Sequence, residues 1–92
     1  MGRRPVICFG EALWDVLPDE RVPGGAPMNV ALRLQHFGVD VSFLSRVGKD
    51  TDGERLLSFM RSKSLDTRYV QSDTEHPTGT VIVDTTDPSE VH

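Results

Sequence analysis

The sequence contains only one cysteine, Cys8, together with only one tryptophan and one tyrosine. A single thiol cannot form an internal disulfide, so no covalent cross-link within the chain stabilises its fold. Cys8 lies within an apolar run, which favours a buried thiol in a core strand and fits the reducing environment of the cytoplasm.

Basic charge is also scarce, with 10 Lys and Arg residues against 14 Asp and Glu residues and a net charge of -4. Such a surface has no basic field to attract a phosphate backbone, which excludes nucleic acid as an expected partner. Residues 1–5 include two arginines, but no long apolar stretch follows them. Neither a signal peptide nor a membrane span is predicted, so we expect a soluble cytoplasmic protein without a membrane partner.

The histidines do not have the spacing of metal ligands. His36, His76 and His92 are scattered along the chain. His36 falls on the polar face of a predicted helix, where we expect it to face solvent. The sequence therefore predicts no metal site.

Apolar periodicity predicts the first half of the fold. Residues 5–9 form a short apolar run that suits a strand buried on both faces of a parallel sheet. Residues 16–23 hold two prolines among clustered charges, which favours an excursion from that sheet over a regular strand. Apolar residues at helical spacing predict a helix over residues 26–37, ended by Gly38. Residues 41–47 alternate as a second, largely buried strand.

The second half continues the alternation of strand and helix. Residues 51–54 match a capping box, in which the Thr51 hydroxyl and the Glu54 carboxylate would bind free backbone donors at a helix start. Residues 66–70 and 78–84 are predicted as strands. This order of elements predicts an α/β fold in which βαβ units build a mainly parallel sheet with helices on its faces.

Several polar residues near the ends of these elements are candidate ligands. Asp15 follows the first strand, where an open parallel sheet presents binding groups, although a loop aspartate that caps a turn would have the same spacing. Gly24 and Gly25 either form a plain turn or let a ligand approach free N–H groups at the helix start. Asn29 offers an amide donor and acceptor in the first helical turn, or only a local cap. Trp14 is either a stacking surface or a packed side chain.

A charged cluster surrounds Gly48. The chain has no Gly-x-x-x-x-Gly-Lys-Ser/Thr sequence, so this cluster is not interpreted as a phosphate loop with a metal-binding pair. We interpret its members as solvated groups at a strand end and a helix cap: Arg46, Lys49, Asp50 and Asp52.

A signature of spaced residues also runs through the chain. It reads Gly24-Gly25-Ala26-Pro27-Met28-Asn29-Val30-Ala31 and continues to Gly38 and Gly48. This stretch resembles the N-terminal signature of the PfkB-type carbohydrate kinases, the ribokinase and fructokinase family. The runs from Cys8 to Asp15 and from Ser45 to Asp50 are similar to the family as well, so the resemblance covers nearly the whole chain.

The resemblance implies a partial ribokinase-like fold, in which residues 1–92 are the N-terminal part of a longer kinase domain. Segments 16–24 and 78–84 would contribute to a short lid over the sugar. Ala26 and Pro27 take the form of the signature that fructokinase-like members carry, which favours fructose or a related ketose as the substrate.

The same resemblance assigns roles to the candidate residues. Asp15 and Asn29 would bind hydroxyl groups of a small sugar, while Gly24 and Gly25 would supply backbone contacts. The family's catalytic aspartate lies in a motif of the type Asp-Thr-x-Gly-Ala-Gly-Asp, which this sequence does not contain. We therefore expect no catalytic, cofactor-binding or metal-binding residue here. ATP and Mg²⁺ would bind to the full-length parent, and neither is expected to bind this chain well.

Two other interpretations are open. One is a non-catalytic small-molecule-binding or self-association module that has kept the first part of this fold. The other is a dinucleotide-binding unit, but that requires Gly-x-Gly-x-x-Gly directly after the first strand, whereas Gly10 stands alone. Because a partial sheet exposes an edge, we also expect a homo-oligomer formed through that edge or through the lid.

Overall fold

Two three-stranded β-sheets and two α-helices form the structure, a computed structural model that describes residues 6–83. The elements in chain order are β1 (Val6–Phe9), β2 (Leu13–Val16), β3 (Arg21–Gly24), α1 (Ala26–His36), β4 (Val41–Gly48), α2 (Thr51–Ser62), β5 (Val70–Asp73) and β6 (Gly79–Ile82). The predicted α/β class is confirmed. Neither helix of the described residues has the length and apolar character that crossing a membrane would require.

The first sheet has the strand order β1-β4-β5 and is parallel throughout. Its central strand carries Val41, Phe43 and Val47, which are buried and therefore lie on one face at the period of two that strands impose. The buried side chains of both helices join the same apolar cluster: Met28 and Ala31 from α1, and Leu56, Leu57 and Met60 from α2. Both helices thus cover one face of this sheet, and the core lies between them and β4.

The opposite face of the first sheet has no helix over it in the described chain. Ile7 is 61% exposed, Phe9 is 76% exposed and Leu44 is 40% exposed. Phe9 and Leu44 are partners in the parallel register, so these side chains form one apolar surface. The prediction that residues 5–9 are buried on both faces is therefore wrong for this chain, because only one face of the sheet receives helices.

The second sheet has the strand order β3-β2-β6. Strands β2 and β3 form an antiparallel hairpin, and β6 joins β2 in parallel. Residues 16–23 do leave the first sheet as predicted, but they include most of the regular strand β3, so the preference for an excursion over a regular strand is wrong there. Pro23 is accommodated because β3 is an edge strand, where a missing N–H breaks no ladder.

Three predicted boundaries also change. The residue that caps α2 is Asp50 rather than Thr51: the Asp50 Oδ1 atom accepts a hydrogen bond from the Gly53 N–H at 2.7 Å. The strand predicted over residues 66–70 is shifted to Val70–Asp73, because Asp66 accepts a hydrogen bond from the Arg68 N–H at 2.9 Å and holds a turn there.

The strand predicted over residues 78–84 is observed as Gly79–Ile82, and residue 84 lies outside the described residues. Helix α1 has the predicted extent to within one residue and contains Pro27 in its first turn. Gly38 follows it with a φ of 83°, the left-handed conformation that glycine adopts readily.

Candidate functional site

Asp15 lies in the second sheet rather than at the carboxyl end of β1. Val22 is its partner on β3, and Val81 is its partner on β6. Within residues 6–83, the half-buried Asp15 carboxylate has no hydrogen-bond or ion-pair partner. The nearby turn is closed instead by the backbone, from the Leu17 N–H to the Glu20 carbonyl at 2.8 Å. Asp15 is therefore not a turn cap, and its oxygens can accept hydrogen bonds from a ligand.

Gly24 makes the space that this carboxylate occupies. Gly24 is buried at the end of β3, opposite Leu13 of β2. A side-chain carbon built on Gly24 would overlap the carboxylate of Asp15. Any larger residue at this position would displace the Asp15 side chain, so the requirement for glycine here is steric.

Gly25 brings the start of α1 against the segment that joins β1 to β2. Its φ is 106°, and a side-chain carbon on it would overlap the Glu11 carbonyl oxygen. No side chain among residues 6–83 caps α1, which leaves N–H groups of its first turn without an intrahelical partner. We call the three residues Asp15, Gly24 and Gly25 the Asp15 corner. The β2–β3 hairpin and the start of α1 assemble it.

Asn29 lies one helical turn beyond the corner. Its backbone N–H donates to the Gly25 carbonyl at 3.0 Å, and its side chain is exposed. The amide does not cap the helix, so the local-cap interpretation is wrong. The structure thus brings together three of the four predicted site residues, Asp15, Gly24 and Gly25. Asn29 lies next to them, and it makes no hydrogen bond to Asp15 in the described part of the chain. His36, about two turns further along the same face of α1, is exposed as predicted.

Trp14 and Arg21 attach the second sheet to α2. The Trp14 Nε1–H donates to the Asp52 carbonyl oxygen at 2.9 Å. Arg21 places its guanidinium 5.4 Å from the centre of the Trp14 ring and donates two hydrogen bonds to the Asp52 carboxylate, at 3.0 and 2.9 Å. The hydrogen bond to Asp52 raises the pKa of Arg21. Trp14 is therefore a packed side chain whose exposed face is occupied by Arg21.

Thr78 and Asp50 form a second attachment that the sequence did not predict. Thr78 is 6% exposed, and its hydroxyl donates to the Asp50 Oδ1 atom at 2.6 Å. The Thr78 N–H donates to the Asp50 Oδ2 atom at 3.0 Å, and the Gly48 N–H donates to the Thr78 hydroxyl at 2.9 Å. The Thr78 hydroxyl, the Thr78 N–H and the Gly53 N–H lower the pKa of Asp50, in that order of importance.

The structure confirms the helix-cap part of that interpretation at Asp50, whereas the solvated part is wrong for Asp50, whose carboxylate is part-buried against Thr78. Asp52 stays partly exposed but pairs with Arg21. The feature of the sequence that could have indicated these contacts is the pair of glycines on either side of Asp50, Gly48 and Gly53. A side-chain carbon on Gly53 would overlap the Gly48 carbonyl, and one on Gly48 would overlap the Thr78 backbone. Two glycines at this spacing indicate a close backbone approach, but they do not identify the strand that approaches.

No group of three or more His, Cys, Asp or Glu side chains among residues 6–83 could hold a metal ion. The charged groups near β5 are paired in another way. Asp73 accepts hydrogen bonds from the Glu75 N–H at 2.8 Å and from His76, and these lower its pKa. The described residues thus do not fit a magnesium site.

Comparison with solved structures supports the relation that the motifs suggested. The fructokinase with bound ATP from Xylella fastidiosa matches with a TM-score of 0.83 and 28% identity, over 89% of this chain and 27% of that chain. The fructokinase from Vibrio cholerae O395 in its fructose, ADP and calcium ion bound form matches with a TM-score of 0.81 and 32% identity, over 90% of this chain and 29% of that chain.

Sequence comparison gives the same relation. The fructokinase of Escherichia coli is 38% identical over 90 residues, which are 92% of this chain and 29% of the relative. The chain thus spans 26% to 29% of the length of the fructokinases from Klebsiella pneumoniae and Escherichia coli. The family model described as pfkB family carbohydrate kinase matches residues 6–91. Since this match extends over nearly the entire sequence, from β1 past β6, the chain belongs to the pfkB family of carbohydrate kinases.

Proposed function

We propose that this chain is the sugar-binding N-terminal part of an ATP-dependent carbohydrate kinase that phosphorylates a hydroxyl of fructose or a related ketose. The observation that carries the proposal is the carboxylate of Asp15, which has no partner among residues 6–83 and is held at a glycine-lined corner beside the start of α1. The fructokinase from Vibrio cholerae that resembles this chain has fructose bound, which supports a sugar as the ligand.

The chemistry of the corner suits a polyol. A half-buried carboxylate accepts hydrogen bonds from two neighbouring hydroxyls, and such charge-assisted bonds are stronger than neutral ones. Gly24 and Gly25 expose backbone that a ligand can approach closely, and Asn29 adds an amide with both donors and an acceptor. These groups would fix the ring so that one hydroxyl points toward the phosphoryl donor, which is how orientation lowers a reaction barrier.

The proposal assigns binding and orientation to this chain, and not the chemical step. ATP is bound in the related Xylella fastidiosa fructokinase, and we propose that the parent of this chain uses ATP with Mg²⁺. The catalytic base and the nucleotide site would come from the part of the kinase that these residues do not include. Accordingly, no catalytic residue and no metal ligand is assigned here.

The second sheet is the proposed lid over the sugar. It contains β2, β3 and β6, and so includes most of the predicted lid segments 16–24 and 78–84. Because Asp15 lies on the central strand of this sheet, movement of the lid would carry a sugar ligand with it. A cytoplasmic location and a homo-oligomer formed through the lid or the sheet edge remain predictions of the sequence.

Calorimetric titration with D-fructose tests the proposal, and Asp15→Asn is the decisive variant. We expect saturable binding by the unaltered chain and at least about a ten-fold loss of affinity in Asp15→Asn, since a charged acceptor becomes a neutral amide. Asp19→Asn is the matched control, because Asp19 is an exposed carboxylate in the turn of the same hairpin. Equal affinities in the two variants would contradict the assignment of Asp15.

One observation favours the second candidate, a module that works by self-association. The apolar surface of Ile7, Phe9 and Leu44 is exposed on a parallel sheet, a type of sheet that proteins normally cover on both faces. Sedimentation of the unaltered chain and of Phe9→Ser distinguishes the two functions. A dimer that Phe9→Ser abolishes, together with no fructose binding, would support the module instead of the kinase.

A further inference from the structure

The sheet that carries Asp15 is joined to α2 by side-chain contacts that converge on four consecutive residues. Thr78, which directly precedes β6, bonds to Asp50, while Trp14 of β2 and Arg21 of β3 bond to Asp52. We call residues 50–53 the α2 joint. Each of the three strands of the second sheet is therefore linked to the same turn of one helix.

The attachment of β6 to the joint is sterically tight, with Thr78 buried and the Asp50 side chain part-buried. The Asp50 carboxylate accepts hydrogen bonds from the Thr78 hydroxyl, the Thr78 N–H and the Gly53 N–H. Thr78 in turn accepts from the Gly48 N–H, and neither Gly48 nor Gly53 has room for a side-chain carbon. Breaking this contact would leave the buried Thr78 hydroxyl and its partners without hydrogen bonds, so it should open less readily than an exposed contact does.

The attachment of the β2–β3 hairpin is more exposed. The Arg21 and Asp52 side chains are 39% and 31% exposed, although their hydrogen bonding is bidentate. Water competes with such a pair and salt screens it, so it opens far more easily than a buried contact does. The Thr78–Asp50 contact is thus the firmer one and the Arg21–Asp52 pair is held reversibly, while the part-buried bond from the Trp14 Nε1–H to the Asp52 carbonyl also joins β2 to the joint.

We propose that Asp50 and Thr78 are positioning residues that place the Asp15 strand, and that Arg21 and Asp52 form a releasable second contact about which the hairpin can shift. One link from the joint to Asp15 runs through β6, since Val81 pairs with Asp15 only three residues after Thr78, and a second runs through Trp14, which directly precedes Asp15 and donates to the Asp52 carbonyl. The positioning of a sugar ligand rests on the function proposed above, but the positioning of the strand does not.

Amide hydrogen exchange on the 92-residue chain tests this directly, with Thr78→Val and Thr78→Ser as a matched pair. Valine keeps the shape of threonine but removes its hydroxyl, whereas serine keeps the hydroxyl. In Thr78→Val, amides of β6 and β2 should exchange about ten-fold faster while those of α1 and β4 stay unchanged. Thr78→Ser should remain within about two-fold of the parent.

A fructose titration of the same variants adds the functional readout. The affinity should fall about five-fold or more in Thr78→Val and recover in Thr78→Ser. If the parent chain binds no fructose but the exchange pattern appears, the proposed function fails and the joint stands. The proposal for the joint is contradicted if the parent binds fructose but Thr78→Val either raises amide exchange equally over the whole chain or leaves exchange in β2 and β6 unchanged.

If Thr78→Val fails to fold, a comparison of Asp52→Asn with Asp50→Asn tests the joint instead. The exposed Asp52→Asn substitution weakens only the reversible contact, so exchange should rise in β2 and β3 while the amides of β6 keep their parent rates. Asp50→Asn should show the converse pattern, with faster exchange beginning at β6. Identical exchange patterns in the two variants would contradict a joint with one fixed and one releasable contact.

Discussion

The two sheets of this chain are stabilised by different kinds of contact. The first sheet is held by apolar packing: Phe43, Leu56 and Met60 are fully buried between β4 and the two helices. The second sheet contributes little to that core, and Ile82 at its parallel edge is 81% exposed. It is placed by hydrogen bonds and an ion pair to residues 50–53.

This difference separates stability from placement of the site. The free energy gained from apolar burial is large and does not depend on direction. The first sheet therefore supplies most of the stability but does not fix the exact positions of the site residues. Hydrogen bonds contribute less but demand a particular distance and angle, so they are suited to orienting the strand that carries Asp15. Substitutions in the first sheet should therefore unfold the chain, and substitutions at the joint should disturb the site first.

Phe43→Ala should have the largest effect, since it removes the centre of the apolar core. Truncating a fully buried phenylalanine costs about 3–5 kcal/mol, which is comparable to the whole stability expected of so small a domain. We expect a chain that is largely unfolded by circular dichroism at 25 °C. Phe37→Ala is the control: Phe37 is 72% exposed, so its variant should keep the parent urea midpoint.

Gly53→Ala should come next, because the added methyl group would overlap the Gly48 carbonyl. The end of β4 and the start of α2 must then separate, which we expect to cost about 1–3 kcal/mol as an overpacking effect. Urea unfolding measures this cost. Gly79→Ala is the matched control, as its methyl group would meet the Leu13 side chain at an ordinary 3.5 Å. Equal midpoints for both variants would show that the joint is not tightly packed.

Acid should loosen the joint before it unfolds the core. The pKa of Asp50 is lowered by its bonds to Thr78 and Gly53, so the stability it provides is complete above its unfolded pKa of about 3.9. That stability is lost as the pH falls through the lower, folded value. Exchange at β6 should therefore accelerate below about pH 4, after correction for intrinsic rates.

Asp50→Asn should remove most of this pH dependence, because an amide does not titrate in the acid range. Other charged groups surround the joint, and their contributions remain in the variant: Arg21, Lys49, Asp52, Glu54 and Asp73. Asp73 also has a lowered pKa, caused by the Glu75 N–H and by His76. An unchanged acid response in Asp50→Asn would assign the effect to Asp73 instead.

Arg21→Gln should have the smallest effect on stability, because its ion pair with Asp52 is exposed. We expect no measurable change in the urea midpoint, but about two- to five-fold faster exchange in β3 at low salt. High salt should raise the amide exchange rate of β3 in the parent toward the rate in the variant, since screening weakens the same ion pair. A large fall in the midpoint would mean that the second sheet also supports the core.

The sequence predicted what local patterns and apolar periodicity control. Helix α1, the parallel first sheet and the α/β class were confirmed, because proline, glycine and buried apolar residues at fixed spacing determine them. The family signature assigned sugar binding to Asp15, Gly24 and Gly25; the structure places these residues at one corner, and their binding role stays a prediction. The contact of Thr78 with Asp50 was missed, because it joins residues 28 positions apart and leaves no local pattern.

Two of the predictions that were wrong have different physical causes. Asp50, and not Thr51, caps α2. The backbone of Asp50 is extended, which places its side chain within hydrogen-bond distance of the Gly53 N–H. The strand β1 was predicted as buried on both faces, but burial depends on elements that only one face of this sheet receives. The residue type alone allowed the cap at Asp50, since aspartate is a preferred N-cap, whereas the exposure of β1 cannot be deduced from its own residues.

Fructose-dependent amide chemical shifts of the 92-residue chain test the central claim most directly. If the Asp15 corner binds the sugar, saturable shifts should appear in β2, around Gly24 and Gly25, and in the first turn of α1, and Asp15→Asn should abolish them. Saturable shifts on the apolar face of β1 instead, or none at any fructose concentration, would contradict a sugar site at Asp15.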